Sequence, residues 1–290
     1  MENERNIKCW CKSGLYYKDC HMEFDEKIKK LRAMGYITPL RKMIKNKKQI
    51  EGIKESAKIN TGLLDLVKAN IKEGMTTEDI NTMVHEYTIS HGAIPADLNY
   101  EGYPKSVCIS VNNEVCHGIP SKDKILKSGD IVNVDATTNL NGYFSDASRM
   151  FMIGNVSEEN KKLVKVTKEC LEKSIEIIEP WKTTLGDIGA VIEEHAKNNG
   201  YSVVRDFCGH GVGLAIHEDP IVYHFGKRGR GMVLVPGMMF TIEPMINAGD
   251  FRIKIDRKNG WTVYTKDGSY SAQFEHTILV TENGVEIISQ

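Results

Sequence analysis

Apolar side chains recur at helical spacing along the first part of the chain. Ile50, Ile53, Ala57, Leu64, Val67 and Ile71 fall on one face of a helix, which Gly74 ends. A second helix is predicted from Thr76 or Thr77, with Glu78 and Asp79 favourable in its first turn. Its buried face is Ile80, Met83, Val84 and Tyr87, and Gly92 closes it. The pattern then changes to strands: Ser106 to Val111, Ile131 to Thr137 and Tyr143 to Ile153. Ser157 and Thr184 read as N-caps of two more helices, one ending before Pro180 and the other at Gly200. Strands return over Ser202–Asp206, Met238–Glu243, Arg252–Ile255, Thr262–Tyr264 and Gln273–Val280, with turns at Asn259-Gly260 and Asp267-Gly268. The order helix, helix, strands occurs twice without visible sequence identity. It predicts an α+β domain of two similar halves.

Composition adds a second unit. The chain has 290 residues, 41% apolar and 27% charged, which excludes global disorder. No apolar run approaches the roughly 18 residues of a membrane span, and the first residues lack the apolar core of a signal peptide. A cytoplasmic chain with no membrane association is expected. The net charge of −1 hides a split. Residues 1–50 hold 13 Lys+Arg and 6 Asp+Glu, a balance of +7, so residues 51–290 carry −8. The basic part is either a solvated helix face or an arm for an anionic partner. Residues 1–22 form one compositional unit, residues 23–40 a charged linker containing Pro39, and the helical pattern begins after residue 40.

The segment 131-IVNVDATTNLNGYFSDASRM-150 carries the first chemistry. Asn141-Gly142 is a two-residue hairpin turn, because both positions tolerate positive φ. Leu140 then pairs with Tyr143 and Thr137 with Asp146, so Asp135 and Asp146 become diagonal neighbours on one face, with backbones roughly 7–8 Å apart. Two such carboxylates can converge on a pair of metal ions, or they can lie on a solvent face. The apolar flanks Val132, Val134, Phe144, Met150 and Phe151 favour a half-buried hairpin.

Histidines and further carboxylates follow. His210 and His217 sit in 207-FCGHGVGLAIHEDP-220, where Gly209, Gly211 and Gly213 make a regular helix poor and let backbone pass close to a ligand. Surface or core histidines are the competing reading. His117 lies on a turn in Cys116-His117-Gly118-Ile119-Pro120, Glu243 ends an apolar strand, and Glu275 sits in an alternating one beside His276. Carboxylates in such strands need partners. An Asp/Asp/His/Glu/Glu set suits hard or borderline divalent ions, which makes a dinuclear hydrolase plausible.

At this point residues 41–290 resemble a type I methionine aminopeptidase of the pita-bread fold. The likeness rests on 103-YPKSVCISVNNEVCHGIP-120, 131-IVNVDATTNLNGYFSDASRMF-151, 209-GHGVGLAIHEDP-220, 240-FTIEPM-245 and 271-SAQFEHT-277, in that order. The resemblance implies a curved, mainly antiparallel sheet between two pseudo-symmetric halves. It implies removal of the initiator methionine from nascent chains when the second residue is small, by a hydroxide bridging two divalent ions of Co, Mn, Fe or Zn. The implied metal ligands are Asp135, Asp146, His210, Glu243 and Glu275, with Asp146 and Glu275 bridging. Glu243 would handle the nucleophile's proton, His217 would donate to the scissile carbonyl oxygen, and His117 would contact the neighbouring peptide nitrogen. Tyr100, Tyr103, Cys108 and Trp261 map to the methionine pocket, and Asn112 and Ser271 to a monovalent cation (Na or K). Family members are usually monomeric. Two residues depart from the family pattern, Ile216 beside the second histidine and Asp97 at the pocket border. The competing readings are another pita-bread peptidase of prolidase or aminopeptidase P type, and a non-catalytic ribosome- or RNA-associated relative. The first usually carries a large separate N-terminal domain, and the second loses metal ligands.

Seven cysteines is an odd count, and three of them crowd one end. Cys9, Cys11, Cys20 and His21 give C-x-C-x₈-C-H, a set suited to a closed tetrahedral structural zinc. The segment resembles the short SEC-C metal-binding motif. Lys8, Lys12 and Lys18, interleaved with Trp10, Tyr16 and Tyr17, are compatible with ribosome contact or with the packing of a small fold. Cys108, Cys116, Cys170 and Cys208 are expected as buried thiols.

Overall fold

The computed structural model describes residues 7–290. Five α-helices are present among them: α1 Met22–Ala33, α2 Lys47–Asn70, α3 Thr77–Ser90, α4 Glu158–Glu176 and α5 Leu185–Asn198. Caps fix the starts of the last four. Asn46 and Thr76 make capping boxes with Gln49 and Asp79, Ser157 accepts from the Asn160 N–H, and the Thr184 N–H donates to Asp187.

Fifteen strands are found among the described residues. The first five are β1 Ile94–Pro95, β2 Cys108–Val111, β3 Glu114–Cys116, β4 Ile131–Leu140 and β5 Tyr143–Met152. Then come β6 Ser202–Val203, β7 Gly209–Gly211, β8 Glu218–Val222, β9 Met239–Ile242 and β10 Met245–Asn247. The last are β11 Ile253–Ile255, β12 Val263–Thr265, β13 Ser271–Gln273, β14 Glu275–Val280 and β15 Val285–Ser289. The main sheet runs β1-β4-β5-β14-β9-β7-β8, with β2 added to β4 and β15 to β14, and its pairs are antiparallel. Two three-stranded sheets, β13-β10-β6 and β11-β12-β3, extend it.

The helix pairs cover one side of this sheet. Leu63, Leu64, Val67, Ile80 and Val84 of α2 and α3 pack on Val132, Val134, Ala136 and Ala147. Leu163, Cys170, Leu171, Ile188 and Ile192 of α4 and α5 pack on Phe240, Ile242, Ile246 and Ile278. Successive side chains of a strand point to opposite faces. With Val134 and Ala136 on the helix side, Asp135 and Thr137 face the other way, into the concavity. This is the α+β arrangement expected from the helix, helix, strands repeat, with the mainly antiparallel sheet that the family resemblance implies.

The β4–β5 hairpin has the register read from its turn. Asn141 and Gly142 have φ of 54° and 84°, and Thr137 pairs with Asp146 and Asp135 with Ser148.

Short strands such as Glu218–Val222, Met245–Asn247 and Val285–Ser289 add to the sequence reading, and three further segments differ from it. Residues 23–33, expected within the charged linker 23–40, belong to helix α1, which begins at Met22. Phe24, Ile28 and Leu31 fall at i, i+4 and i+7 and pack on the α4–α5 core, with Phe24 edge-on to Trp181 at 5.1 Å. The charged majority of that stretch masked its one apolar stripe. The glycine-rich segment around His210 is strand β7, squeezed between β8 and β9. A Cβ on Gly209 would sit 2.4 Å from the Thr241 carbonyl oxygen, and one on Gly211 would sit 2.1 Å from that of Asp219. The glycines there serve strand packing. The run Gln273–Val280 is interrupted at Phe274, where the chain passes from β10's sheet to the main sheet. Cys108, Cys116 and Cys170 are buried, whereas Cys208, just before β7, is half-buried because it lines the wall of an open cavity.

Candidate metal centre and its pocket

A cavity of about 820 Å³ opens on the concave face. It is lined by Asp135, Asp146, His210, Glu243 and Glu275, brought from β4, β5, β7, the end of β9 and the start of β14. His117, His217, Tyr100, Tyr103, Cys108 and Trp261 form its walls, as do Asp97 and Ile216. Every residue assigned from the sequence to the metal set and the methionine pocket thus reaches one cavity. Asn112 and Ser271 lie outside its lining. They meet each other, the Ser271 N–H donating to the Asn112 carbonyl at 2.8 Å, beside the buried and unpartnered Oδ1 of Asn247.

The donor set carries its own electrostatic problem. Asp146, His210 and Glu275 bring ligand atoms within 4.8 Å of one another. The His210 Nδ1–H donates to the Gly211 carbonyl at 3.0 Å, which leaves the Nε2 lone pair facing Glu243 Oε1 at 3.5 Å and Asp146 Oδ2 at 3.8 Å. Burial holds the imidazole neutral, its pKa lowered to about 4. The Nε2 lone pair and the carboxyl oxygens thus converge on one region, as metal donors do.

The carboxylates are equally costly alone. Burial pushes Glu243 up to about 8 and Asp146 up to about 6. Burial and then the charge of Asp146 push Asp135 and Glu275 far above the usual range. Asp146 Oδ1 is buried without a hydrogen-bond partner. Divalent cations resolve all of this at once, so the residues fit a metal centre.

Further residues hold the set in place and were not singled out from the sequence. Thr241 Oγ1 donates to Glu243 Oε1 at 2.8 Å and accepts from the His210 N–H at 3.0 Å. Gln273 Nε2 donates to Glu243 Oε2 at 3.3 Å, and the Glu243 N–H donates to the buried His224 Nε2 at 3.1 Å. Thr241 and Gln273 lie two residues before Glu243 and Glu275 in the sequence. That spacing was the only signal available.

Around the centre, the Tyr100 hydroxyl meets His217 Nδ1 at 2.8 Å, and the His217 ring stands edge-on to His210 at 4.3 Å. Burial lowers His117 to about 4, and its ring meets Phe207 and Trp261 edge-on. Tyr103 donates to the Gly118 carbonyl at 2.9 Å and packs on Trp261 at 5.1 Å.

Asp97 sets a pH response. Its carboxylate accepts from the Thr137 N–H at 2.9 Å, yet burial, followed by the charge of Asp146, raises it to about 8. A folded-state pKa above the unfolded value means that its contribution to stability is present at low pH and is lost as pH rises through about 8. Between pH 5.5 and 7.5 the slope from this one group approaches about −1.4 kcal/mol per pH unit in the metal-free protein. Asp97→Asn is expected to flatten that slope in urea melts of chelator-treated protein. An unchanged slope would refute burial as the cause.

A second cluster sits in the N-terminal segment. Cys9, Cys11, Cys20 and His21 place their ligand atoms within 4.8 Å of one another. His21 Nδ1 lies 3.1 Å from the sulfurs of Cys9 and Cys20, and Cys11 and Cys20 sulfurs are 3.6 Å apart. A tetrahedron of such donors around zinc has edges of roughly 3.3–3.8 Å; the Cys11–Cys20 edge falls in that range and the two His21 edges lie slightly inside it, so the donors are gathered closely enough for one ion. The segment is docked by Asp25 of α1, whose Oδ2 accepts from Trp10, Tyr17 and Arg41 at 3.2, 2.8 and 2.6 Å.

Comparison with known proteins agrees with this geometry. The model of metallopeptidase family M24 matches residues 51–282, and that of the SEC-C motif matches residues 5–23. Methionine aminopeptidase A of Synechocystis sp. is 48% identical over 245 residues, 84% of this chain and 96% of its own. Methionine aminopeptidase of Escherichia coli is 44% identical over 247 residues, 85% and 93% of the two chains. The crystal structure of methionine aminopeptidase from Rickettsia prowazekii superposes with a TM-score of 0.83 at 46% identity, covering 85% of this chain and 99% of that one. A prolidase from Pyrococcus furiosus shares the fold, at 24% identity and a TM-score of 0.69.

Proposed function

The chain belongs to metallopeptidase family M24, and within it to the methionine aminopeptidases, and from that premise we propose how this site works. The enzyme removes the N-terminal methionine of proteins. The observation that carries the reading is the convergence of four buried carboxylates and a neutral histidine in one cavity, beside an aromatic and thiol-lined pocket.

Asp135, Asp146, His210, Glu243 and Glu275 would hold two divalent ions. When bound, such ions supply Lewis acidity and lower the pKa of water toward neutrality. Glu243, fixed by Thr241 and Gln273, takes the proton released from the attacking water. With the Tyr100 O–H donating to His217 Nδ1, the proton of His217 sits on Nε2, free to bond the scissile carbonyl oxygen as charge develops there. His117, held neutral by burial, contacts the peptide nitrogen that follows. The methionine side chain lies among Tyr100, Tyr103, Cys108 and Trp261, soft and apolar surfaces suited to a thioether. Asp97 and Ile216 shape the pocket border, and a small second residue passes it. Asn112 and Ser271, beside Asn247, would hold a monovalent cation.

Methionine release from Met-Ala-Ser, Met-Leu-Ser and a Xaa-Pro dipeptide, with Co²⁺ or Mn²⁺ added, tests the reading. Cleavage of the first alone is expected. Preferred cleavage of the Xaa-Pro peptide would overturn it.

We assign residues 41–290 to catalysis and the preceding segment to a zinc-stabilised appendage. Twenty residues cannot build a core alone, so zinc at Cys9, Cys11, Cys20 and His21 supplies most of that module's folding energy. The Cys9→Ser, Cys11→Ser double variant is expected to lose one zinc equivalent and keep two divalent ions; equal metal content would refute the assignment. Among the described residues no helix is long and apolar enough to cross a membrane. We place the enzyme in the cytoplasm as a monomer that meets nascent chains at the ribosome through Lys8, Lys12 and Lys18. Reversing these three charges is expected to abolish salt-sensitive co-sedimentation with ribosomes. Unchanged co-sedimentation would refute the contact.

A further inference from the structure

The turn just before α2 carries a buried lysine that the mechanism does not use. Lys45 is 4% exposed. Its N–H donates to the Gly237 carbonyl at 2.8 Å, and its ammonium donates to Glu218 Oε2 at 2.6 Å. A buried charge of this kind needs its partner, because removing one member leaves the other uncompensated.

Glu218 is the residue after His217, and its second oxygen has another task. Oε1 accepts from the N–H groups of Leu214 and Ala215, at 2.6 and 3.2 Å. It closes the loop 213–218 upon itself and fixes where His217 leaves the chain. The Lys45 stem lies beneath the same loop, since a Cβ on Gly213 would come within 3.3 Å of Lys45 Cε.

Asn46 extends the chain of contacts outward. It caps α2, its Oδ1 accepting from the Gln49 N–H at 3.0 Å, and its Nδ2 donates to the Cys11 carbonyl at 3.1 Å. Cys11 belongs to the N-terminal ligand cluster. One dipeptide thus touches the appended module on one side and the loop of His217 on the other.

We propose that Lys45 is a positioning residue for His217, acting through Glu218, and that Asn46 ties the same turn to the ligand loop at Cys11. The appended module is then part of the support of the catalytic loop. The inference rests on the role of His217 given above. It reaches the reaction through geometry, since small misplacements of a catalytic group cost rate out of proportion to their size.

The experiment uses the full chain loaded with Mn²⁺ and Zn²⁺, with Met-Ala-Ser as substrate. Lys45→Met keeps an unbranched stem of similar length and removes the charge. Glu218→Gln keeps the acceptor for Leu214 and Ala215 and removes the ion pair. Asn46→Asp keeps the cap of α2 and deletes the donor to Cys11. Lys45→Met and Glu218→Gln are each expected to lower kcat about tenfold while KM moves less than about threefold and metal content is unchanged. The double variant is expected to match the worse single variant. Asn46→Asp is expected to lower kcat about threefold, with helix content unchanged, and carries the test if Lys45→Met does not fold.

Unchanged kcat in Asn46→Asp, or losses in Lys45→Met and Glu218→Gln that multiply in the double variant, would overturn the proposal. An inactive wild-type chain in the same assay would instead refute the underlying reading of the site.

Discussion

Asp146→Asn is expected to abolish methionine release while leaving the fold intact. The backbone of Asp146 is held independently of its side chain, because its carbonyl accepts from Thr277 at 2.8 Å and from Ser289 at 2.6 Å. What the substitution removes is one anionic charge at the centre of the donor set, in a residue that also leaves an oxygen unpartnered. Metal ions at such a site supply several kcal/mol of transition-state stabilisation, and each 1.36 kcal/mol is tenfold in rate. The loss in kcat should therefore be at least about a thousandfold, together with a fall in bound divalent metal. A second consequence has the opposite sign. Without ions, Asp146 repels Asp135, Glu243 and Glu275. The metal-free variant should then melt higher than metal-free wild type, while its stabilisation on adding Mn²⁺ should shrink. Calorimetry with and without chelator reads both effects. A variant that binds metal normally and turns over normally would contradict the assignment.

His217→Ala is expected to separate catalysis from metal binding. The ring faces the cavity beside His210, and its Nδ1 is already bonded to the Tyr100 hydroxyl. Removing one donor to a developing oxyanion typically costs about 10²–10³ in kcat. The variant should show a loss of that size with the metal content of wild type. Tyr100→Phe, which deletes the hydroxyl bonded to Nδ1, should give a smaller loss in the same direction. Loss of metal in His217→Ala would make it a ligand, and unchanged kcat would remove it from the reaction.

Much of this site could be read from residue order because its geometry is local. A two-residue turn fixes the register of a hairpin, and register fixes the side on which each side chain stands. Asp135 and Asp146 followed from Asn141-Gly142 by counting. His210, Glu243 and Glu275 could not be placed that way. They come together only because β14 pairs with β5 on one side and β9 on the other, and no local pattern encodes that pairing. They were named through family likeness.

What escaped the sequence shares a physical cause. Helix α1 was hidden because one apolar stripe among many charges resembles a solvated segment, and its partner Trp181 lies far along the chain. The supporting residues Thr241, Gln273 and His224 act through hydrogen bonds that exist only once the strands have paired. Lys45 read as one cation among many in the basic stretch, and its burial depends on Glu218, which lies 173 positions away.

The central claim is that catalysis depends on ions held by Asp135, Asp146, His210, Glu243 and Glu275. The most direct measurement strips the full chain with chelator and titrates Mn²⁺ back while following both bound metal and methionine release from Met-Ala-Ser. Activity should vanish on stripping and return as the carboxylate site fills, with Asp146→Asn failing to recover at any concentration. Full turnover by the stripped protein would contradict the account.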